Sequence, residues 1–137
     1  MRMQKKILVV DDDLDLCYIL QTQLSRLGYD SITAVNGREA VDLAVSQRPD
    51  LIVMDIVLPV MDGLEATRLI REHPDTQSIP ILAMTAKATS QLKRACLQGG
   101  CNDFIAKPFT TKQLTAIIEA MFEERSSQRN SLEAVSA

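Results

Sequence analysis

The residues able to do chemistry stand in a few short stretches. VVDDDLDL (9–16) brings Asp11, Asp12, Asp13 and Asp15 together immediately after Ile7-Leu8-Val9. Asp55 follows LIVM (51–54), Thr85 follows ILAM (81–84), and Lys107-Pro108 follows DFIA (103–106). Carboxylates this close repel one another unless water, helix caps or a cation takes up their charge. Clustered carboxylate oxygens are hard ligands of the kind Mg²⁺ accepts, together with waters and phosphate oxygens. An aspartate can also attack phosphorus and carry an acyl phosphate, with an ammonium and a hydroxyl holding the remaining phosphoryl oxygens. No Ser-His-Asp arrangement is present. The single histidine, His73, stands at the end of a helical stretch, where a solvated or capping role is expected.

The elements that must position these groups are legible in the periodicity. ILVV (7–10), LIVM, ILAM, DFIA and the weaker SITAV (31–35) are too short for helices and are β-rich or fully apolar, as suits strands covered on both faces. Between them, Leu14, Cys17, Leu20, Leu24 and Leu27 recur at helical spacing, with Gly28 placed to end the helix. REAVDLAVSQ follows Asn36-Gly37 and closes at Pro49, and GLEATRLIREH (63–73) stops at Pro74. SQLKRACLQ (90–98) ends at Gly99-Gly100, and KQLTAIIEAMFEE (112–124) is the last amphipathic helix. Leu14, Cys17, Ile19, Leu20, Leu64 and Leu69 are expected mainly in the core. Strands alternating with helices imply right-handed βαβ crossovers and a parallel sheet.

Ligands of open α/β sheets bind outside the carboxyl ends of the strands. Asp11 and Asp12, Asp55, Thr85 and Lys107 would then converge on one edge, although they are far apart in the chain. Asp13 and Asp15 better suit the start of the first helix, as caps and as charges favourable to its positive end.

The chain's 137 residues fit one domain, and 46% apolar content with mixed charge reads as globular. A net charge of −3 gives no general attraction to nucleic acid or anionic lipid. Cys17, Cys96 and Cys101 form no CxxC pair and read as reduced, small apolar side chains. MRMQKK followed by only four apolar residues is too short for a signal sequence, and no run approaches the ~18 apolar residues of a membrane span, so a cytoplasmic location is the default.

ILVVDDD, LIVMDIVLPVMDG, ILAMTAKA and DFIAKPF together resemble the receiver domain of two-component response regulators, over about residues 5–124. The resemblance implies a flavodoxin-like (βα)5 fold with strand order 2-1-3-4-5, one of the two common orders of doubly wound sheets. It implies Asp55 as phosphoacceptor, and Asp11 and Asp12 holding Mg²⁺ with Asp55, with Mn²⁺ as a substitute. Val57 stands where the family supplies a backbone carbonyl to the metal. Thr85 would place its hydroxyl on a phosphoryl oxygen, with Ala86 leaving room, and Lys107 would neutralise phosphoryl charge. A cis Lys107–Pro108 bond is implied, against a base rate of about 5–6% for X–Pro. Phe104 takes the position of an aromatic that swings inward with Thr85, and a buried core Phe is an equal reading. Val57 and Lys87 flank the path of an attacking water.

Implied partners are a sensor histidine kinase or histidine phosphotransfer protein, docking near the first helix, and a downstream protein target. Direct contact with nucleic acid or membrane is not expected, and the chain would be a monomer or weak dimer. The polar stretch from Arg125 to Ala137 is expected as a flexible tail, too short for a DNA-binding domain. The chain is then a single-domain response regulator or relay intermediate, or a receiver excised from a hybrid kinase. It would catalyse only its own phosphorylation and dephosphorylation. A haloacid-dehalogenase-like phosphatase uses similar groups, but its DxDx[TV] signature wants Thr or Val where Asp15 stands. A non-phosphorylated binding module on the same fold is a third reading.

Overall fold

A computed structural model describes the backbone of residues 4–136 and the side chains of residues 4–127. Two compact units divide at the Lys107–Pro108 junction. The first holds β1 (Lys6–Val10), α1 (Leu14–Arg26), β2 (Asp30–Ala34), α2 (Gly37–Gln47), β3 (Leu51–Asp55), α3 (Gly63–Glu72), β4 (Ile81–Thr85), α4 (Ser90–Gln98) and β5 (Asp103–Ala106). The second is α5 (Thr111–Ser136). All strands pair in parallel, in the order β2-β1-β3-β4-β5.

The central strands β1, β3 and β4 are buried on both faces, which is why they read as unbroken apolar runs. Their alternate side chains sort by face. Leu8, Val10, Ile52, Met54, Ile81 and Ala83 join one core cluster with Ala40 and Ala44 of α2, Ala66 and Ile70 of α3, and Cys96 of α4. Ile7, Val9, Leu51, Val53, Leu82 and Met84, equally buried, point to the opposite face, where α1 lies against β1 and β2.

Helix starts are set by side-chain caps. Asp13, Asn36, Asp62 and Thr89 accept the first free N–H groups of α1, α2, α3 and α4. The ends of α1 and α4 close through Gly28 and Gly100, at φ +89° and +114°. Tyr29 N–H then returns to the Leu24 carbonyl at 3.0 Å and Cys101 N–H to the Cys96 carbonyl at 2.9 Å. Thr110 and Gln113 form a reciprocal capping box at the start of α5.

Two expectations need correction. Leu14 and Ile19 are 69% and 49% exposed, and Leu27 is 46% exposed. At about 100° per residue, Cys17, Leu20 and Leu24 share the buried face while Ile19 falls well away from it. Leu14 and Leu27 stand at the helix ends, beyond the sheet's cover, and Leu64 and Leu69 are half-buried. The helical boundary at Glu124 is also too early, because α5 continues through Arg125 to Ser136. That stretch contains neither Gly nor Pro, so polar composition alone does not end the helix.

Candidate functional site

Because the strands are parallel, their carboxyl ends share one edge, and each candidate group stands at the end of a strand. Asp11 follows β1, Asp55 is the last residue of β3, Thr85 the last of β4, and Lys107 follows β5. Asp11, Asp12 and Asp55 each offer a carboxylate oxygen within 4.8 Å of the others. Asp11 is 1% exposed and Asp55 7%, while Asp12 faces solvent.

Lys107 bridges the two buried carboxylates. Its Nζ donates to Asp11 Oδ2 at 2.6 Å and to Asp55 Oδ2 at 2.8 Å. The second oxygen of each acid is held by backbone. Asp55 Oδ1 accepts the Val57 N–H at 3.0 Å, and Asp11 Oδ1 accepts the Asp13 N–H at 2.9 Å. Cys17 supports Asp11 from below, its thiol donating to the Asp11 carbonyl at 3.3 Å. Asp13 caps α1 by accepting from Asp15 and Leu16 N–H, so the four aspartates of the first loop divide between cluster and helix start.

Charge in this cluster is unbalanced. Burial raises the Asp55 carboxyl above its ordinary range, against the opposing hydrogen bonds of Lys107 and Val57. Burial also pushes the Lys107 ammonium down, but the hydrogen bonds and charges of Asp11 and Asp55 together outweigh it and raise its pKa. Three carboxylates face one ammonium, a formal charge of −2. All the donors are carboxylate oxygens, with no imidazole or thiolate among them. That set and that deficit fit a hard divalent cation such as Mg²⁺.

Thr85 is buried, at 1% exposure, and its Oγ1 accepts the Lys87 N–H at 3.1 Å, which leaves the hydroxyl hydrogen to be donated. Lys107 N–H is tied to the Thr85 carbonyl at 2.9 Å, so the hydroxyl and the ammonium sit on neighbouring strand ends. Val57 turns its side chain outward, 53% exposed, and contributes only main chain. Phe104 lies back along β5, opposite Ala83, half-buried against the core cluster and apart from the carboxylates. His73 ends α3, its Nδ1 accepting the Asp75 N–H at 3.1 Å, as expected of a capping residue. The three cysteines are free and buried.

Two glycines that sequence reasoning treats only as turn or helix-start signals prove to be close-approach positions. A methyl group on Gly63 would lie 2.5 Å from the Asp55 carbonyl oxygen, and one on Gly37 would lie 2.1 Å from that of Met61. The available signal is their shared context, since each follows a side-chain cap in Asn36-Gly37 or Asp62-Gly63.

A parallel α/β unit thus carries, at the edge where such sheets bind ligands, an acidic set that fits a cation and an ammonium beside it. Residues 7–119 match the response regulator receiver domain, and the chain belongs to that family. It is 42% identical over 119 residues to the alkaline phosphatase synthesis transcriptional regulatory protein PhoP of Bacillus subtilis, covering 87% of this chain and 49% of that protein. The chain thus spans about half the length of this curated relative. A response regulator from Chloroflexus aurantiacus superposes with a TM-score of 0.82 at 33% identity, covering 86% of this chain and 97% of that one. The receiver domain of a Pseudomonas aeruginosa sensor histidine kinase, solved with a magnesium ion coordinated in its active site cleft, gives 0.80 at 39% identity, with 86% and 97% coverage. The flavodoxin-like fold and the strand order expected from the sequence are those of the structure.

Proposed function

We propose that this receiver accepts a phosphoryl group on Asp55 from the phosphohistidine of a sensor histidine kinase or a histidine phosphotransfer protein. The observation that carries the reading is the Asp55 carboxylate itself. It is buried, held at one oxygen by Val57 N–H and at the other by Lys107, with Asp11 and Asp12 beside it. An Asp55 oxygen attacks phosphorus as the N–P bond of the donor breaks, and the leaving imidazole keeps the electron pair and takes up a proton.

Asp11, Asp12, Asp55 and the Val57 carbonyl would hold Mg²⁺, or Mn²⁺ in its place. When bound, the cation supplies positive charge to the transferring phosphoryl oxygens. Lys107 neutralises a further oxygen and Thr85 donates its hydroxyl to another. Ala86 and Lys87, both exposed, leave the entrance open. Phosphorylation adds charge and acceptor oxygens that bias the loop after Thr85, with α4 and Phe104 responding. The Lys107–Pro108 bond is proposed to be cis; a trans bond in an experimental structure overturns that point.

The docking face for the phosphodonor is proposed to include Leu14 and Tyr18, 69% and 72% exposed on α1, the helix that follows Asp11 and Asp12. Output is read as protein contact by a cytoplasmic receiver, monomeric or weakly dimeric, which performs only its own phosphorylation and dephosphorylation. The 39% identity to a kinase receiver supports a second reading, a receiver belonging to a hybrid histidine kinase. Among the described residues no helix is long and apolar enough to cross a membrane.

Phosphotransfer from a phosphohistidine donor, with mass spectrometry locating the label, tests the assignment. Asp55→Ala is expected to abolish the acid-labile label. Undiminished labelling of that variant refutes the site, and label on Asp11 with turnover of a phosphate ester points to the phosphatase reading.

A further inference from the structure

We propose that Gly37, the first residue of α2, is a positioning residue for the reaction at Asp55, holding the β3–α3 loop in place through the Met61 carbonyl. The inference rests on the reading of Asp55 as phosphoacceptor. Gly37 N–H donates to the Met61 carbonyl at 2.9 Å, joining the second βα unit to the loop of the third. The glycine is buried, and a Cβ there would meet Met61 O at 2.1 Å, Met61 C at 2.8 Å and Asp62 O at 3.0 Å. All three are backbone atoms, which no rotamer change can move aside. Since Gly37 does not adopt a positive φ, the position requires room and not conformational freedom.

The loop it touches has little slack. Ile56 N–H is tied to the Met84 carbonyl at 3.0 Å, and Gly63 N–H to the Ile56 carbonyl at 2.8 Å, which closes the neck. Beyond the neck, Met61 N–H returns to the Pro59 carbonyl at 2.7 Å around Val60, whose φ is +68°. A three-residue turn with a β-branched residue at positive φ is strained, and persists only where its surroundings hold it. Gly37 is one such hold, and Val57, between neck and turn, donates to the Asp55 carboxylate.

A side chain at position 37 must therefore displace either α2 or the loop. The helix is locked by Ala40 and Ala44, both 0% exposed, so backing it away opens a void in a close-packed core. The loop is the softer partner, with Val57 and Val60 53% and 83% exposed. It yields, and its movement is transmitted to the Val57 N–H that orients Asp55 and to the Val57 carbonyl that would help hold a cation.

The test compares wild type, Gly37→Ala and Arg71→Ala in the full chain, with acetyl phosphate and Mg²⁺ as donor system and the rate of Asp55 labelling as readout. Arg71 lies at the opposite edge of the sheet and controls for stability loss alone. Wild type should be labelled on Asp55, Gly37→Ala at least about tenfold more slowly, and Arg71→Ala within about twofold of wild type while folded. Equal slowing of both variants, or a Gly37→Ala rate within about twofold of wild type, overturns the positioning role. An unlabelled wild type instead removes the phosphoacceptor reading and this inference with it. Amide exchange of Gly37 in the wild type gives an independent readout should the variant not fold. Mg²⁺ with beryllium fluoride should slow it by about tenfold, and an unchanged rate overturns the inference.

Discussion

The two edges of the same parallel sheet treat polar groups in opposite ways. At the amino end of β4 and β5, the Arg71 guanidinium donates to the carbonyls of Gly100 at 3.0 Å, Gln77 at 3.0 Å and Ile79 at 2.7 Å, and to Asn102 Oδ1 at 2.9 Å. Asn102 Oδ1 also accepts the Ile81 N–H at 2.8 Å, and the buried Thr76 hydroxyl donates to the Ile70 carbonyl at 2.7 Å. These partners are neutral and fixed, so the cluster joins α3, β4 and the start of β5 without waiting for a ligand. At the carboxyl edge, three carboxylates cluster around a single ammonium that pairs with only Asp11 and Asp55, and the neighbouring loop carries a residue at unfavourable φ. An edge with complete pairing makes structure. One with surplus charge is poised to bind.

Substitutions at the two edges should therefore separate stability from ligand binding. The largest stability effect is expected at the amino edge, where Arg71→Ala should cost about 1.5–3 kcal/mol through lost charge-assisted hydrogen bonds to half-buried carbonyls. A urea midpoint that hardly moves would mean that these hydrogen bonds do not hold the amino edge together. At the carboxyl edge, Asp12→Asn should change stability by no more than about 0.5 kcal/mol because Asp12 is exposed. The same variant should bind Mg²⁺ at least about tenfold more weakly, since a charged oxygen ligand is lost. Calorimetric titration with Mg²⁺ alone, beside thermal melts, reads both quantities, and unchanged affinity would exclude Asp12 from the metal set. A single substitution in the β3–α3 loop reads the strain stored there. Val60→Gly should stabilise the protein by about 0.5–1 kcal/mol, since glycine adopts φ +68° without a Cβ penalty. A lower urea midpoint for that variant would mean that the turn is not strained.

Much of this architecture is legible in the sequence for a simple reason. Strands buried on both faces must be apolar throughout, so the first polar residue after each run marks the carboxyl edge. Asp55 and Thr85 are marked in that way without any knowledge of contacts, whereas Lys107 follows the edge strand β5, which is only partly buried. Helix starts are equally legible where a side chain caps them, as Asp13 does. Exposure is less so, because Leu14 and Ile19 carry the same residue chemistry as Leu20, and differ in standing at the helix end or in the direction they face. The length of α5 is hidden by composition, since a polar stretch lacking Gly and Pro can still be helical.

By itself, then, the order of residues determined the alternation of strands and helices and the identity of the polar groups at the strand ends, because both follow from local periodicity and parallel connectivity. Only the tertiary structure decided which groups touch. It placed Lys107 between Asp11 and Asp55, partners 96 and 52 residues away, buried Asp11 while leaving Asp12 in solvent, and pressed Gly37 against the Met61 carbonyl. Such contacts depend on strand order and on ångström-scale approach across separate βα units, which no local pattern encodes.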